Sequence, residues 1–316
     1  MINKLIVMNP HGDIAVQQAH LIVTSTLLML LIIVPVIAAT LFFAFRYRQS
    51  NTGVTYAPEW DHSTRLELLI WGAPLAIVIA LGAITWISTH KLDPYRPLDR
   101  IDAQHAVAPG TKPLVVQVVA LDWKWLFVYP EQGIATVNEL AAPVDRPIEF
   151  RITSSTVMNA FYVPELAGMV YAMPGMETQL HAVINKVGNY EGISANYSGA
   201  GFSDMKFRFL GMTDSDFAAW VEDNKASGQT LDRLAYLKLE APSEREPVRH
   251  FSAVESNLYT AVLNRCADDE KMCSSQMMAI DAAGGAGKGG IPGMTTLKLP
   301  AGDRKVVAAM CTRKAT

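Results

Sequence analysis

The chain has 316 residues, of which 50% are hydrophobic and 18% charged, below the roughly 25% charge of an average soluble domain. Its mean hydropathy of +0.17 points to membrane segments. The net charge of −3 lacks the basic excess of a nucleic-acid-binding domain, so no nucleic-acid partner is expected.

Residues 1–20 form an N-terminal segment. MINKLIVMNPHGD has no apolar run long enough for a cleaved signal, so the first span is expected to serve as its own targeting signal. Two uncharged runs follow, Leu21 to Phe45 and Leu68 to Thr89. At ~1.5 Å per residue each can cross a hydrocarbon core of about 30 Å. They predict a transmembrane hairpin over 21–89, with spans at about 21–45 and 68–89. Pro35 and Pro74 lie inside the runs, which membrane helices tolerate when neighbours satisfy the freed carbonyls. Arg46, Arg48 and Arg65 in the connecting loop, against Lys4 before the first span, favour a cytoplasmic loop; Lys91, Arg96 and Arg100 after the second span offset part of that bias. Thr64-x-x-Glu67 at the start of the second span has the pattern of a capping box, and a carboxylate there suits the helix dipole.

Residues 90–112, rich in proline and charge, read as a linker. From 113 to 213 the pattern is strand-like. PLVVQVVAL is β-branched, and DWKWLFVY alternates with period two, placing Trp123, Trp125, Phe127 and Tyr129 on one face. PIEFRIT, TQLHAVI, NYEGISA and MKFRFLGM follow between turn residues, which predicts a sandwich or barrel. Residues 214–266 form a helical extension, with amphipathic helices expected over 214–227, 231–240 and 252–265 and Asp214 or Ser215 as first cap. Residues 267–316 are expected to be a flexible tail. Gly287-Lys288 lacks the following Ser or Thr and the preceding strand of a phosphate loop. Cys266, Cys273 and Cys311 do not have zinc spacing. A disulfide between two of them is possible, leaving one over.

The stretch Gly192 to Met205, GISANYSGAGFSDM, has the layout of a metal loop without cysteine or histidine. The seven histidines of the chain show no paired ligand spacing. The words WDHSTRLELLIWGAP, DWKWLFVYPEQGIATVNE, STVMNAFYVPEL, YAMPGMET and YEGISANYSGAGFSDMKF resemble subunit II of haem-copper respiratory oxidases, and within it the bo-type ubiquinol oxidases, over roughly 14–251. The resemblance implies an α+β membrane protein: a two-helix transmembrane hairpin, a cupredoxin-like β-sandwich and C-terminal helices. Copper-binding members hold a dinuclear centre with one early histidine and a C-x-E-x-C-x3-H-x2-M loop. By the flanking Tyr190, Gly192 and Gly199, the two cysteine positions fall on Ser194 and Ser198. The glutamate falls on Asn196, the loop histidine on Phe202 and the early histidine on Asn159; Met205 alone matches. A neutral hydroxyl cannot bridge two coppers as a thiolate does. The expectation is therefore no cofactor in this chain, with haems and copper in the partner large subunit.

The resemblance further implies a non-catalytic subunit of a proton-pumping quinol oxidase that reduces dioxygen to water. Its partners would be the haem-copper oxidase subunit I, further small membrane subunits and membrane lipid, with quinol bound by the complex rather than by this chain. It places the protein in the bacterial inner membrane with the sandwich outside, and Glu67 at the entrance of a proton channel. Met205 is expected to pack as a core thioether, and Trp123 and Trp125 as a structural aromatic face. Bo-type relatives are commonly lipoproteins processed at a cysteine before the first span. No cysteine precedes Cys266 here, so either a truncated start or an unlipidated member is expected. The alternatives are a copper-containing cytochrome c oxidase subunit II and a membrane-anchored cupredoxin-like binding or assembly module.

Overall fold

The computed structural model describes residues 6–54, 59–268 and 270–282. Two long helices come first, α1 (Asp13–Arg46) and α2 (Thr64–Lys91). Their most apolar stretches bury nothing inside the chain. A helix of a soluble core would be covered by its own protein, so these two need a bilayer or another subunit as solvent. α1 is longer than its apolar run. Residues 13–20 are not a separate segment but its first two turns, where Asp13, Ala15 and Ala19 are buried against the sandwich. The approach is close at Gly12, which bridges Ile184. A Cβ there would lie 2.5 Å from the Val183 carbonyl oxygen and 2.6 Å from that of Leu166, so only glycine fits. His11 docks beside it; burial, and secondarily Lys186, hold its imidazole below the ordinary pKa.

The linker is pinned rather than loose. Arg100 grips Asp13 through two bonds of 2.9 and 3.0 Å, Gln17 donates to the same carboxylate, and the Pro94 carbonyl accepts from His181 N–H.

The head is a two-sheet sandwich. Its strands are β1 (Leu114–Leu121), β2 (Lys124–Tyr129), β3 (Ile134–Val137), β4 (Glu139–Pro143), β5 (Ile148–Ser154), β6 (Asn159–Tyr162), β7 (Val170–Ala172), β8 (Thr178–Ala182), β9 (Gly188–Ser194) and β10 (Lys206–Met212). The extension adds α3 (Asp214–Lys225), β11 (Thr230–Leu231), α4 (Arg233–Glu240), β12 (Arg249–Phe251), β13 (Ala253–Val254), α5 (Leu258–Leu263) and α6 (Ser274–Ala282). One sheet runs β12-β3-β2-β1-β5-β8 and the other β4-β10-β9-β6-β7. The pairs β1–β5 and β4–β10 are parallel, and the remaining pairs in both sheets are antiparallel.

The period-two aromatic face of β2 points between the sheets. Trp125, Phe127 and Tyr129 are fully buried, and Trp123 packs at the edge of the same cluster. Trp125 meets Phe161 and Phe207 edge-on, while Phe161 and Phe207 stack at 5.4 Å. The Tyr129 hydroxyl crosses to β4, the edge of the opposite sheet. There it donates to the Ala141 carbonyl and accepts from the Ala141 N–H, both at 2.9 Å. It thus replaces a missing neighbouring strand, and burial pushes the phenol's pKa up. Tyr129→Phe should strand a buried N–H and C=O together, costing about 2–4 kcal/mol. Denaturant unfolding of the head, followed by tryptophan fluorescence, reads the loss.

The second face of β1 and β2 is buried too. Val119, Leu121, Leu126 and Val128 pack against Leu231, Tyr236, Leu239, Leu258 and Tyr259 of the extension. Lys124 is drawn under this layer, donating to the carbonyls of Asp122 and Ala241 and to Ser243 Oγ; desolvation lowers its pKa.

Two expectations change here, and one open question is answered. Residues 252–265 are not one helix: β13 pairs with β11, and only α5 is helical. The helical extension therefore also carries three short strands. The segment expected to be flexible, 267–316, contains α6, while residues 283–316, including Gly287-Lys288 and Cys311, lie outside the described residues. Among the cysteines, Cys266 and Cys273 form a disulfide.

Candidate functional site

The loop between β9 and β10 carries four of the six singled-out positions, β9 ends on the fifth, Ser194, and β6 opens on the sixth, Asn159. β9 ends at Ser194, a 3-10 turn covers Ala200–Asp204, and β10 begins after Met205. Asn159 opens β6, which pairs with β9. This pairing brings together residues 35 positions apart: Ser194 Oγ donates to Asn159 Oδ1 at 3.2 Å. Asn196 Nδ2 donates to the Met158 carbonyl at 3.1 Å. Ser198 Oγ lies 4.0 Å from Met205 Sδ. Phe202 meets Tyr197 edge-on at 5.6 Å. Asn159, Ser194 and Met205 are buried, and Met205 belongs to the main core.

Trp123 holds the loop from below. Its Nε1–H donates to the Ser198 carbonyl at 2.9 Å, and the loop lies on its ring. A Cβ at Gly201 would fall 2.6 Å from the indole, and Gly199 sits at φ +116°, where a side chain is strained. The glycines of the loop are thus explained by packing on an aromatic ring.

The clustered side chains offer two hydroxyls, two carboxamides, one thioether and one phenyl ring. That set does not fit a dinuclear copper centre, which needs bridging thiolates and imidazoles. Among the described residues there is no group of three or more His, Cys, Asp or Glu arranged to share a metal.

Glu67 lies away from this loop, near the opposite end of the hairpin. The expected capping box does not form. Ser63 is the N-cap and its side chain makes no capping bond. Thr64 Oγ1 instead meets His62 Nε2 at 3.1 Å, and Glu67 pairs with His62 Nδ1 at 2.8 Å. The physical reason is register: Thr64 is already the first helical residue, one position too late to cap. Glu67 is 53% exposed within the chain, so its carboxylate faces outward from the hairpin.

A polar cluster around Glu139 is not visible in the residue patterns. Its carboxylate is 6% exposed and accepts from Arg208 Nη2 at 2.6 Å, Trp220 Nε1 at 3.1 Å and His250 Nε2 at 3.1 Å. The only sequence signal is a charge inside an apolar strand, Glu139 in NELAA, while its donors lie 69 to 111 residues on.

Residues 130–209 match the family described as cytochrome c oxidase subunit II, periplasmic domain. The chain is 51% identical over 260 residues to the ubiquinol oxidase subunit 2 of Acetobacter aceti, covering 82% of each. The chain belongs to the quinol oxidase subunit 2 family. It is 48% identical over 258 residues to the cytochrome bo(3) ubiquinol oxidase subunit 2 of Pseudomonas putida, covering 82% of this chain and 79% of that one. Against the quinol oxidase subunit 2 of Bacillus anthracis the identity is 39% over 240 residues, covering 76% and 79%.

The family assignment gives the two helices and the sandwich their setting: this subunit 2 is a membrane protein with a periplasmic C-terminal domain, within an oxidoreductase complex of the haem-copper superfamily. Residues 225–270 of the subunit match the COX Aromatic Rich Motif. They are the layer that covers the outer face of β1 and β2, and their buried aromatics are Tyr236, Phe251 and Tyr259.

Proposed function

We propose that this subunit 2 is the redox-silent member of a proton-pumping respiratory quinol oxidase in the bacterial inner membrane. In that complex, quinol is oxidised and dioxygen reduced to water on a large subunit I that carries the haems and copper. Further small membrane subunits complete the assembly. This chain supplies two helices that pack on subunit I and a periplasmic cap. Residues 113–213 are its copper-free cupredoxin-like domain, held to the hairpin by the 90–112 linker.

The observation that carries this reading is the donor set at one contact cluster. By the resemblance, Asn159, Ser194, Asn196, Ser198 and Phe202 stand at the donor positions of copper-binding members, with Met205 the residual match, and in this chain Asn159 bonds Ser194 and Ser198 neighbours Met205. Without a metal, the Trp123 and Trp125 face has nothing to relay, and electrons reach oxygen without entering this chain. The test is donor choice by the purified complex. Ubiquinol should sustain oxygen uptake, and reduced cytochrome c should give no uptake above background. Rapid turnover with cytochrome c would overturn the reading in favour of a copper subunit.

Glu67 is the proposed proton-pathway residue. It combines an ionisable group at the start of a membrane helix with a carboxylate that is 53% exposed beside its His62 partner and so accessible to a neighbouring subunit. Glu67→Gln keeps the size and removes the ionisable group. Turnover and proton uptake by the intact oxidase should fall about two- to tenfold, less than the ~10²–10⁴-fold of a general acid or base acting in the chemical step, because an entry residue only relays protons toward it. Unchanged uptake in a fully assembled variant would remove Glu67 from the pathway.

A further inference from the structure

The periplasmic ends of α1 and α2 line a groove of about 480 Å³, within the ~300–1,000 Å³ of small-molecule clefts. Its walls follow helical spacing. Val16, His20 and Thr24 lie four apart on α1; Ile84, Ile87 and Lys91 lie three and four apart on α2. From Asp13 to Thr24 the groove extends ~16 Å along α1, about half the hydrocarbon thickness. Its lining is mostly apolar at depth, with Lys91, Arg100 and Asp13 at the mouth.

A second, smaller cavity of about 120 Å³ sits directly above, between the linker and the sandwich. The two share Asp13, Gln17, Lys91, Leu92 and Arg100, and the upper one adds Arg96 and His181. An apolar slot at bilayer depth therefore opens into a polar chamber at the membrane surface.

The charges at this junction are unequal in what holds them. Arg100 is neutralised by the buried Asp13, and Arg96 pairs with Asp99. Lys91 lines both spaces, yet among the described residues it makes no ion pair; Asp93, which lines the upper cavity alone, accepts from the Tyr95 N–H at 2.9 Å instead. A lysine at a helix end in the interface extends its ammonium toward lipid phosphates. The slot below it, at acyl-chain depth, is unfavourable for water.

We propose that this groove is a resident glycerophospholipid site. One acyl chain lies between α1 and α2, the phosphate meets Lys91, and the headgroup occupies the chamber beneath the sandwich. A phosphate diester supplies the negative charge that Lys91 lacks. A quinol headgroup, being neutral, would leave the ammonium uncompensated. The lipid would then wedge the hairpin against the head at the point where Gly12 and Asp13 join them.

The intact oxidase, purified in mild detergent, is incubated with phosphatidylglycerol bearing a photoreactive diazirine in one acyl chain. Irradiation and peptide mapping should find label concentrated at residues 16–24 and 84–92, over the helix faces around Leu31 and Val78. Lys91→Gln should reduce that label about fivefold or more. Ile87→Trp, which fills the slot without changing charge, should reduce it as well. Both positions are exposed in this chain, so co-purification of haem with each variant certifies an assembled complex. Uniform labelling indifferent to both substitutions would mean annular lipid only. Absent labelling would mean that another subunit fills the slot, and displacement by a short-chain ubiquinone would mean a quinone site. Each of these three results overturns the proposal.

Discussion

Restoring the missing donors should create a copper centre where the native chain has none. The variant Asn159→His, Ser194→Cys, Asn196→Glu, Ser198→Cys and Phe202→His is expected to gain two coppers per complex after incubation and dialysis. The unsubstituted complex should gain none. The reason lies in chemistry rather than backbone. The β6–β9 pairing already places position 159 at hydrogen-bond distance from position 194, and the loop already places position 198 beside Met205. Cysteine thiolates and imidazoles are soft and borderline ligands that retain copper, whereas serine hydroxyls stay protonated and do not. Metal analysis measures the increment against the copper of the rest of the complex. A visible thiolate-to-copper absorption distinguishes the new centre from loosely held ions. Stoichiometric extra copper in the unsubstituted complex would sink the redox-silent reading. No binding in the variant would show that the loop does not bring these five positions into one coordination sphere.

The second large effect is expected at Glu139. Its carboxylate ties together three elements far apart in sequence: β10 through Arg208, α3 through Trp220 and β12 through His250. Because an ionised carboxylate only accepts, the His250 Nε2 must be the protonated nitrogen. Glu139→Ala removes the common acceptor and leaves the Trp220 N–H buried without a partner. Arg208 is 56% exposed and is resolvated, so the cost is the stranded Trp220 N–H and the lost charge-assisted bonds, about 2–4 kcal/mol, a large part of a domain's total of ~5–15 kcal/mol. Glu139→Gln retains one acceptor oxygen and should cost less, about 1–3 kcal/mol. Hydrogen exchange should show protection lost first in α3 and β12. An alanine variant within about 0.5 kcal/mol of the native protein, the range of ordinary surface changes, would show that the cluster is not structural.

The parts legible in the sequence are those with local causes. The uncharged runs at 21–45 and 68–89 mark membrane helices because length and hydropathy alone decide what a bilayer accepts. Period-two alternation placed Trp123, Trp125, Phe127 and Tyr129 on one face of β2 because strand geometry fixes that alternation whatever the neighbours. The capping reading of Thr64 failed because one residue of register decides whether a hydroxyl can cap, and register follows the packed helix start. Residues 252–265 are not the single helix their spacing predicts, because that apolar spacing suits either structure and pairing with β11 decides for a strand at 253–254.

By itself, then, the sequence determined the hairpin, the strand-rich head and the absence of thiolate and imidazole donors from the loop, since each follows from residue type and spacing. Tertiary structure alone decided that Asn159 touches Ser194, that Trp123 supports the loop, that Glu139 collects three distant donors and that Arg100 clamps the foot of α1. Those contacts join residues 35 to 111 positions apart. No local pattern encodes them, because they exist only once the two sheets have paired and the head has closed onto the helix.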